Sequence, residues 1–282
     1  MRLGDAPESG NFEDRTGQSG GGMSLGGMGG GIFGLLFQLV ASRFGIIGII
    51  ILGLGYCALT SLGGGGGTLG GGGSTSPATQ GESRLTPEAR STLTHTLGST
   101  EQVWGQIFKE AGQTYTGTRM VAYTAGTQSG CGSAQSAMGP FYCPTDKQIY
   151  IDPTFFDELT RRFGAPGDFA QAYVVAHEVG HHVQDLEGRL GGGSNSNEAQ
   201  VGIELQADCY AGVWAKRSNL LEAGDAEEGM RAAEAIGDDT LQRKSQGVVV
   251  PETFTHGTSA QRMEALRRGL TTGDPAQCTY SR

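Results

Sequence analysis

Residues 175–184 read Val-Ala-His177-Glu178-Val-Gly-His181-His182-Val-Gln184, and this stretch decides what kind of domain the chain builds. The apolar spacing around it (Phe169, Tyr173, Val174, Ala176, Val183) has the period of a helix and predicts one over 168–186. Side chains four apart on a helix project from one face, so His177 and His181 can offer two imidazoles to a single ion. Glu178, rotated by about 100° from His177, flanks that face and can reach water held by the ion without being forced to ligate it. This is the arrangement expected of one catalytic Zn2+: nitrogen and oxygen ligands, one position left for solvent, and a carboxylate to remove the water proton for attack on an amide carbonyl. His182 is displaced by about 100° from His181 and reads as a packing residue.

A third protein ligand has to come from elsewhere in the chain. The extension that supplies it in metzincins needs glycine at 184 and histidine at 187, where this sequence has Gln184 and Glu187. The next predicted helix, over 197–217, carries Glu204-Leu-Gln-Ala-Asp208, an E-x-x-x-D pair that begins 23 residues beyond His181. Its two acids share a face and sit among Val201, Ile203, Leu205, Cys209, Tyr210 and Val213, where charge is costly unless paired. Glu204 is therefore the expected third ligand. Asp208 is the expected acceptor for the outer N–H of a ligand histidine, fixing its tautomer.

Around these two helices the pattern is α+β. Thr86-Pro87 is a helix start, with one helix expected to about Leu97 and a second from Thr100 to Ala111. Strand-like segments follow at 119–123, 141–143 and 148–151, the last two joined by a hairpin turn at 144–146. Further helices are expected at 153–163, 226–236 and 259–269.

The first third of the chain differs in kind. Of the 50 glycines, 26 fall within residues 1–81, too poor a supply of side chains for a core. Residues 1–43 read as a disordered tail and 63–83 as a flexible Gly/Ser linker. Between them 44–62 has 19 consecutive uncharged residues, long enough to cross a bilayer as a helix. Arg2, Arg15 and Arg43 precede this run and no basic residue follows before Arg84, so the N-terminus is expected to be cytoplasmic and the domain over 84–282 extracytoplasmic. The net charge of −9 without a basic stripe argues against a nucleic-acid partner. Cys57 lies in the apolar run. The remaining four, Cys131, Cys143, Cys209 and Cys278, contain no C-x-x-C pair and suit two disulfides in an exported domain. Proximity suggests Cys131–Cys143 with Cys209–Cys278 by default, three pairings being possible in principle.

Four blocks, HEVGHHVQ at 177–184, ELQADCYAGVWA at 204–215, GCGSAQSAMGPFYCPTDKQIYID at 130–152 and FTHGTSAQR at 254–262, resemble the bacterial family named putative neutral zinc metallopeptidase, whose members carry a glycine-rich N-terminal membrane segment. The resemblance implies a zincin-like fold of the glutamate-zincin kind, with zinc on His177, His181 and Glu204 and with Glu178 as base. Thr255-His256-Gly257 followed by Arg262 is similar to the T-H-P…R element of membrane-bound prenyl-protein and heat-shock metallopeptidases. It makes His256 a candidate to stabilise an oxyanion, with glycine where that element has proline. In zincins an edge strand placed like Gly139-Pro-Phe141-Tyr142 pairs with an extended peptide substrate, the alternative being that Phe141 and Tyr142 pack in the core. The resulting expectation is a single-pass, membrane-anchored zinc endopeptidase acting on peptide or protein. The alternatives are an envelope scaffold with a structural zinc site and hydrolysis of a non-protein amide such as a cell-wall peptide link.

Overall fold

A computed structural model describes residues 1–18, 82–190 and 196–280. The expected span at 44–62 and most of the expected tail and linker lie outside the described residues, among which no helix is long and apolar enough to cross a membrane. The described residues form seven α-helices and two small sheets, an α+β arrangement.

The first helix, α1 (Pro87–Glu110), starts where Thr86 accepts a hydrogen bond from the Ala89 N–H and Pro87 occupies the first turn. It runs unbroken through Gly98, where two separate helices are expected from the sequence. The glycine is a contact point rather than a break: a Cβ there would lie 2.1 Å from the Pro7 carbonyl oxygen.

That contact belongs to a second departure from expectation. Residues 1–18, expected to be disordered with the rest of the tail, are packed on the domain. Leu3 and Ala6 are buried in the main core, the Ser9 N–H donates to the Thr94 carbonyl, and His95 Nδ1 meets the Ala6 carbonyl. Strand β1 (Phe12–Asp14) lies parallel to β2 (Arg119–Ala122), with Phe12 beside Met120 and Asp14 beside Ala122. The glycine excess that suggests disorder begins only at residue 17. Before it the segment has enough Leu, Ala and Phe to bury and backbone groups that complete a sheet edge.

The main sheet has the order β1-β2-β6-β5. Strand β6 (Gln148–Ile151) is parallel to β2, and β5 (Phe141–Cys143) closes the edge as the antiparallel half of the expected hairpin. A separate hairpin, β3 (Gly126–Ser129) with β4 (Gly132–Gln135), was not legible in its Gly/Ser/Gln-rich, weakly alternating sequence. It is tied to β5 by the disulfide Cys131–Cys143. The short α2 (Thr154–Arg161) follows the sheet and leads to α3 (Asp168–Leu186), the helix that carries His177 and His181.

Helix α3 is apolar on nearly every side. Phe169, Tyr173, Val175, Val179 and Val183 are fully buried, and α1, the two helices Asn197–Ser218 and Asp225–Ala235, and the β5–β6 edge surround it. Helix α4 (Asn197–Ser218) is capped by Ser196 and ends at Asn219 in the left-handed region. After α5 (Asp225–Ala235) comes α6 (Asp238–Gln246), a polar helix absent from the sequence reading because it offers no apolar period. Helix α7 (Ser259–Thr272) starts with a capping box between Thr258 and Gln261 and packs along α4, and the disulfide Cys209–Cys278 holds the tail behind it.

In a helix with a free face, glycine to alanine adds roughly 0.5–1 kcal/mol of stability. Gly98→Ala should instead lower the melting temperature, because the new methyl displaces Pro7 and the strand that follows it. Differential scanning calorimetry reads this directly, and an unchanged or raised transition would contradict the docking of residues 1–18.

Candidate metal centre

Helices α3 and α4 cross closely enough to bring their polar groups together because Gly180 faces Ala207. A Cβ on Gly180 would meet the Ala207 Cα and carbonyl oxygen at 3.0 Å, so any larger residue forces the helices apart. The three expected ligands converge at this crossing. His177 Nε2 lies 3.1 Å from Glu204 Oε2, and His181 Nε2 lies 3.5 Å from Glu204 Oε1. One ligand atom from each of the three residues falls within 4.8 Å of the other two. Ligands about 2.1 Å from a tetrahedral zinc stand roughly 3.4 Å apart, so the spacing suits that ion.

The outer nitrogens are held by acceptors, as a ligand pair requires. His177 Nδ1 donates to Asp208 Oδ1 at 2.7 Å, the role expected for Asp208. His181 Nδ1 meets Gln184 Oε1 at 2.9 Å. Gln184 is itself fully buried, donating to the Ile203 carbonyl and to Gln206, which donates to the Cys278 carbonyl. The second disulfide thus anchors a chain of hydrogen bonds that ends on the His181 imidazole. Gln184, noticed in the sequence only because it is not glycine, sits one helical turn after His181, a spacing that could have flagged it.

Asp208 has no exposed side-chain surface, and Arg262 answers its charge with two hydrogen bonds of 2.8 Å, from Nε to Oδ2 and from Nη2 to Oδ1. Tyr173 adds a third donor at 2.6 Å. Burial works to raise the Asp208 pKa, but Arg262 and His177 outweigh it and hold the carboxyl at about 2.

Glu178 is 7% exposed and has no hydrogen-bond partner among the described residues. His256 follows the 3-10 turn Pro251–Thr253 on the loop between α6 and α7, and its ring reaches Asp238 Oδ1 at 3.2 Å through Nδ1. Asp238 Oδ2 also accepts the backbone N–H groups of Thr255, His256 and Gly257. Gly257 has φ of +90°, which proline cannot adopt, so this loop takes its rigidity from the Asp238 carboxylate and not from a ring at 257. Asp238 escaped the sequence reading along with its helix.

Of the residues expected to meet substrate, Tyr142 is turned inward: it is buried, its hydroxyl donates to Asp185 Oδ2 at 2.8 Å, and His182 Nδ1 contacts it at 3.1 Å. Its side chain is therefore a packing element rather than a substrate contact. Phe141 is half-buried and stacks on Tyr150, and Gly139 takes φ of +74° just before the strand. His182, buried between Tyr142 and the Thr116 carbonyl, packs as expected.

A sequence profile of the family described as "Putative neutral zinc metallopeptidase" matches residues 1–280. The chain belongs to this family. Its matched span includes residues 1–18, in keeping with their place in the fold. The chain is 45% identical to "Uncharacterized protein YpfJ" of Escherichia coli K12 over 99% of this chain and 98% of that protein. It is 42% identical to "Uncharacterized protein Rv2575" of Mycobacterium tuberculosis H37Rv over 66% of this chain and 69% of that one. No solved structure matches the chain. Membership in a zinc metallopeptidase family fits the donor set of two imidazoles and a carboxylate. The other acidic grouping among the described residues, Asp168, Asp225 and Glu228, has no histidine and lies where the Met1 ammonium pairs with Asp168 and Asp225.

Burial works to lower the His177 pKa, yet Asp208 and Glu204 outweigh it and raise the imidazole to about 10. His181 is raised in the same way, burial being overcome by Glu204. These carboxylates favour the protonated form of His177 when no metal is bound, so an ion held at Nε2 would have to displace a proton there. Zinc uptake near pH 7 should release about one proton or more per ion. Titration calorimetry in buffers of different ionisation enthalpy measures that number, and a heat independent of buffer would contradict it.

Proposed function

We propose that the chain is a zinc endopeptidase of the glutamate-zincin type, with His177, His181 and Glu204 as the residues that would hold the ion. The supporting observation is the pairing of a ligand set whose outer nitrogens are already fixed with a carboxylate, Glu178, that acts on His181 through its charge and has no hydrogen-bond partner among the described residues. A structural zinc site has no use for that carboxylate, which weighs against a scaffold role. Zinc bound there would supply Lewis acidity, lowering the pKa of water and polarising a peptide carbonyl.

The protein groups divide the remaining work. Glu178 takes a proton from the attacking water on its carboxylate and returns it to the leaving amine nitrogen. Asp208 and Gln184 keep the Nδ1 protons of the two ligand histidines in place, so that both Nε2 atoms face Glu204. His256 uses Nδ1–H on Asp238, and only its protonated form carries a second N–H, on Nε2, to donate to a developing oxyanion. Burial lowers the His256 pKa, but Asp238 and the charge of Glu204 outweigh it, so the ring is more protonated at neutral pH than an ordinary histidine.

Strand β5 pairs on one side only among the described residues, and its free edge is the proposed binding surface for an extended peptide or protein substrate, with Gly139 at its start and Phe141 along it. The proposal extends to membrane attachment through 44–62. Two disulfides favour an oxidising, extracytoplasmic setting for the domain.

Purified protein loaded with zinc should cleave casein, and Glu178→Gln should retain the ion while losing on the order of 10²–10⁴ in kcat. Equal cleavage by the variant would remove Glu178 from the mechanism. If His256 donates as the imidazolium, activity declines as pH rises through its elevated pKa. Asp238→Asn removes the interaction that raises that pKa, so the alkaline limb of the pH–rate profile should move to lower pH. A limb that stays in place would exclude the Asp238–His256 pair from the rate.

A further inference from the structure

Residues 19–81 lie outside the described residues, and the two segments that flank them touch. The Ser83 hydroxyl donates to Asp14 Oδ2 at 2.5 Å, and the Arg84 N–H donates to Thr16 Oγ1 at 2.9 Å. Arg90, in the first turn of α1, reaches the same Asp14 carboxylate at 3.6 Å and lies over the Phe12 ring at 5.2 Å from its centre. Upstream of this junction the segment is threaded through the domain by backbone bonds: Met120 N–H to the Asn11 carbonyl at 2.8 Å, and Arg15 N–H to the Ala122 carbonyl at 2.7 Å. Without β1, strand β2, whose Met120, Val121 and Ala122 have no exposed surface, would become a bare sheet edge.

We infer that residues 1–18 supply the edge strand of the same domain as residues 82–280, and that both flanks of residues 19–81 therefore lie on one side of any bilayer the chain meets. An even number of crossings, or none, separates them. A β-strand cannot pair with a neighbour on the far side of a hydrocarbon layer, so the topology expected from the basic-residue bias, N-terminus cytoplasmic and domain extracytoplasmic through one crossing, does not accommodate this fold. Two of the three arginines behind that bias have structural partners instead. Arg15 pairs with Glu13 at 2.6 Å, and Arg2 donates to the Asn219 carbonyl at 2.6 Å.

The inference is independent of the proposed peptidase activity and can be tested in catalytically silent protein. In full-length chain carrying Cys57→Ser, single thiols are introduced as Glu8→Cys and, separately, Arg267→Cys, both at positions more than half exposed. Cells are treated with a membrane-impermeant maleimide before and after permeabilisation, and detergent-solubilised protein gives the full extent of labelling. The two sites are expected to behave alike: either both label on intact cells, or both label only once the membrane is opened. Labelling of one site on intact cells with protection of the other would overturn the inference. Appending an epitope tag after Met1 and one after Arg282, then comparing their digestion by external protease, provides the same comparison without any new thiol, with the same two outcomes.

Discussion

The centre of this domain is organised by one buried charge. Asp208 has no exposed side-chain surface, and a carboxylate in that setting is tolerated only when its lone pairs are answered. Three side chains on two helices answer them: Tyr173 and His177 from α3, and Arg262 from α7, each within 2.8 Å of a carboxylate oxygen. Helix α4 is thereby locked to helices on both of its sides in a single rotation about its axis. That rotation also turns Glu204, one helical turn earlier, toward His177 and His181. Removing one member of such a buried cluster typically costs about 3–5 kcal/mol, because the others are left charged and unpaired.

The rest of the site depends on how near the helices can come and on what fixes each imidazole. Gly180 permits the crossing, and the Gln184–Gln206–Cys278 chain carries rigidity from the C-terminal disulfide to His181. The Asp238 carboxylate does for the loop bearing His256 what a proline could not do at a residue with positive φ. Each imidazole that would touch an ion or an oxyanion is thus backed by a second side chain, His177 by Asp208, His181 by Gln184 and His256 by Asp238. Glu178 is different, being buried without a hydrogen-bond partner among the described residues, in keeping with the proton-transfer role proposed for it.

Much of this was legible in the sequence because helical spacing is a short-range code. H-E-x-x-H and E-x-x-x-D place side chains on faces without reference to the rest of the chain, and the helices carrying them begin within a residue of the predicted positions. Both disulfides join the expected cysteines, Cys131–Cys143 from proximity and Cys209–Cys278 by default. The misses share a different cause. Gly98 looks like a helix break until the crossing Pro7 is known, and residues 1–18 look like a loose tail because their partner strand is more than a hundred residues away. Asp238 sits on a helix too polar to show an apolar period, and its role depends on a contact with residues 255–257 that no local pattern encodes. The long-range contacts were the hidden part.

The most direct test of the account is a crystal structure of the zinc-loaded protein with anomalous diffraction measured at the zinc edge. The account predicts one strong peak bonded to His177 Nε2, His181 Nε2 and a Glu204 oxygen, with Glu178 beside it and not coordinated. A peak bound instead at Asp168, Asp225 and Glu228, or an ion ligated by Glu178 in place of Glu204, would contradict it.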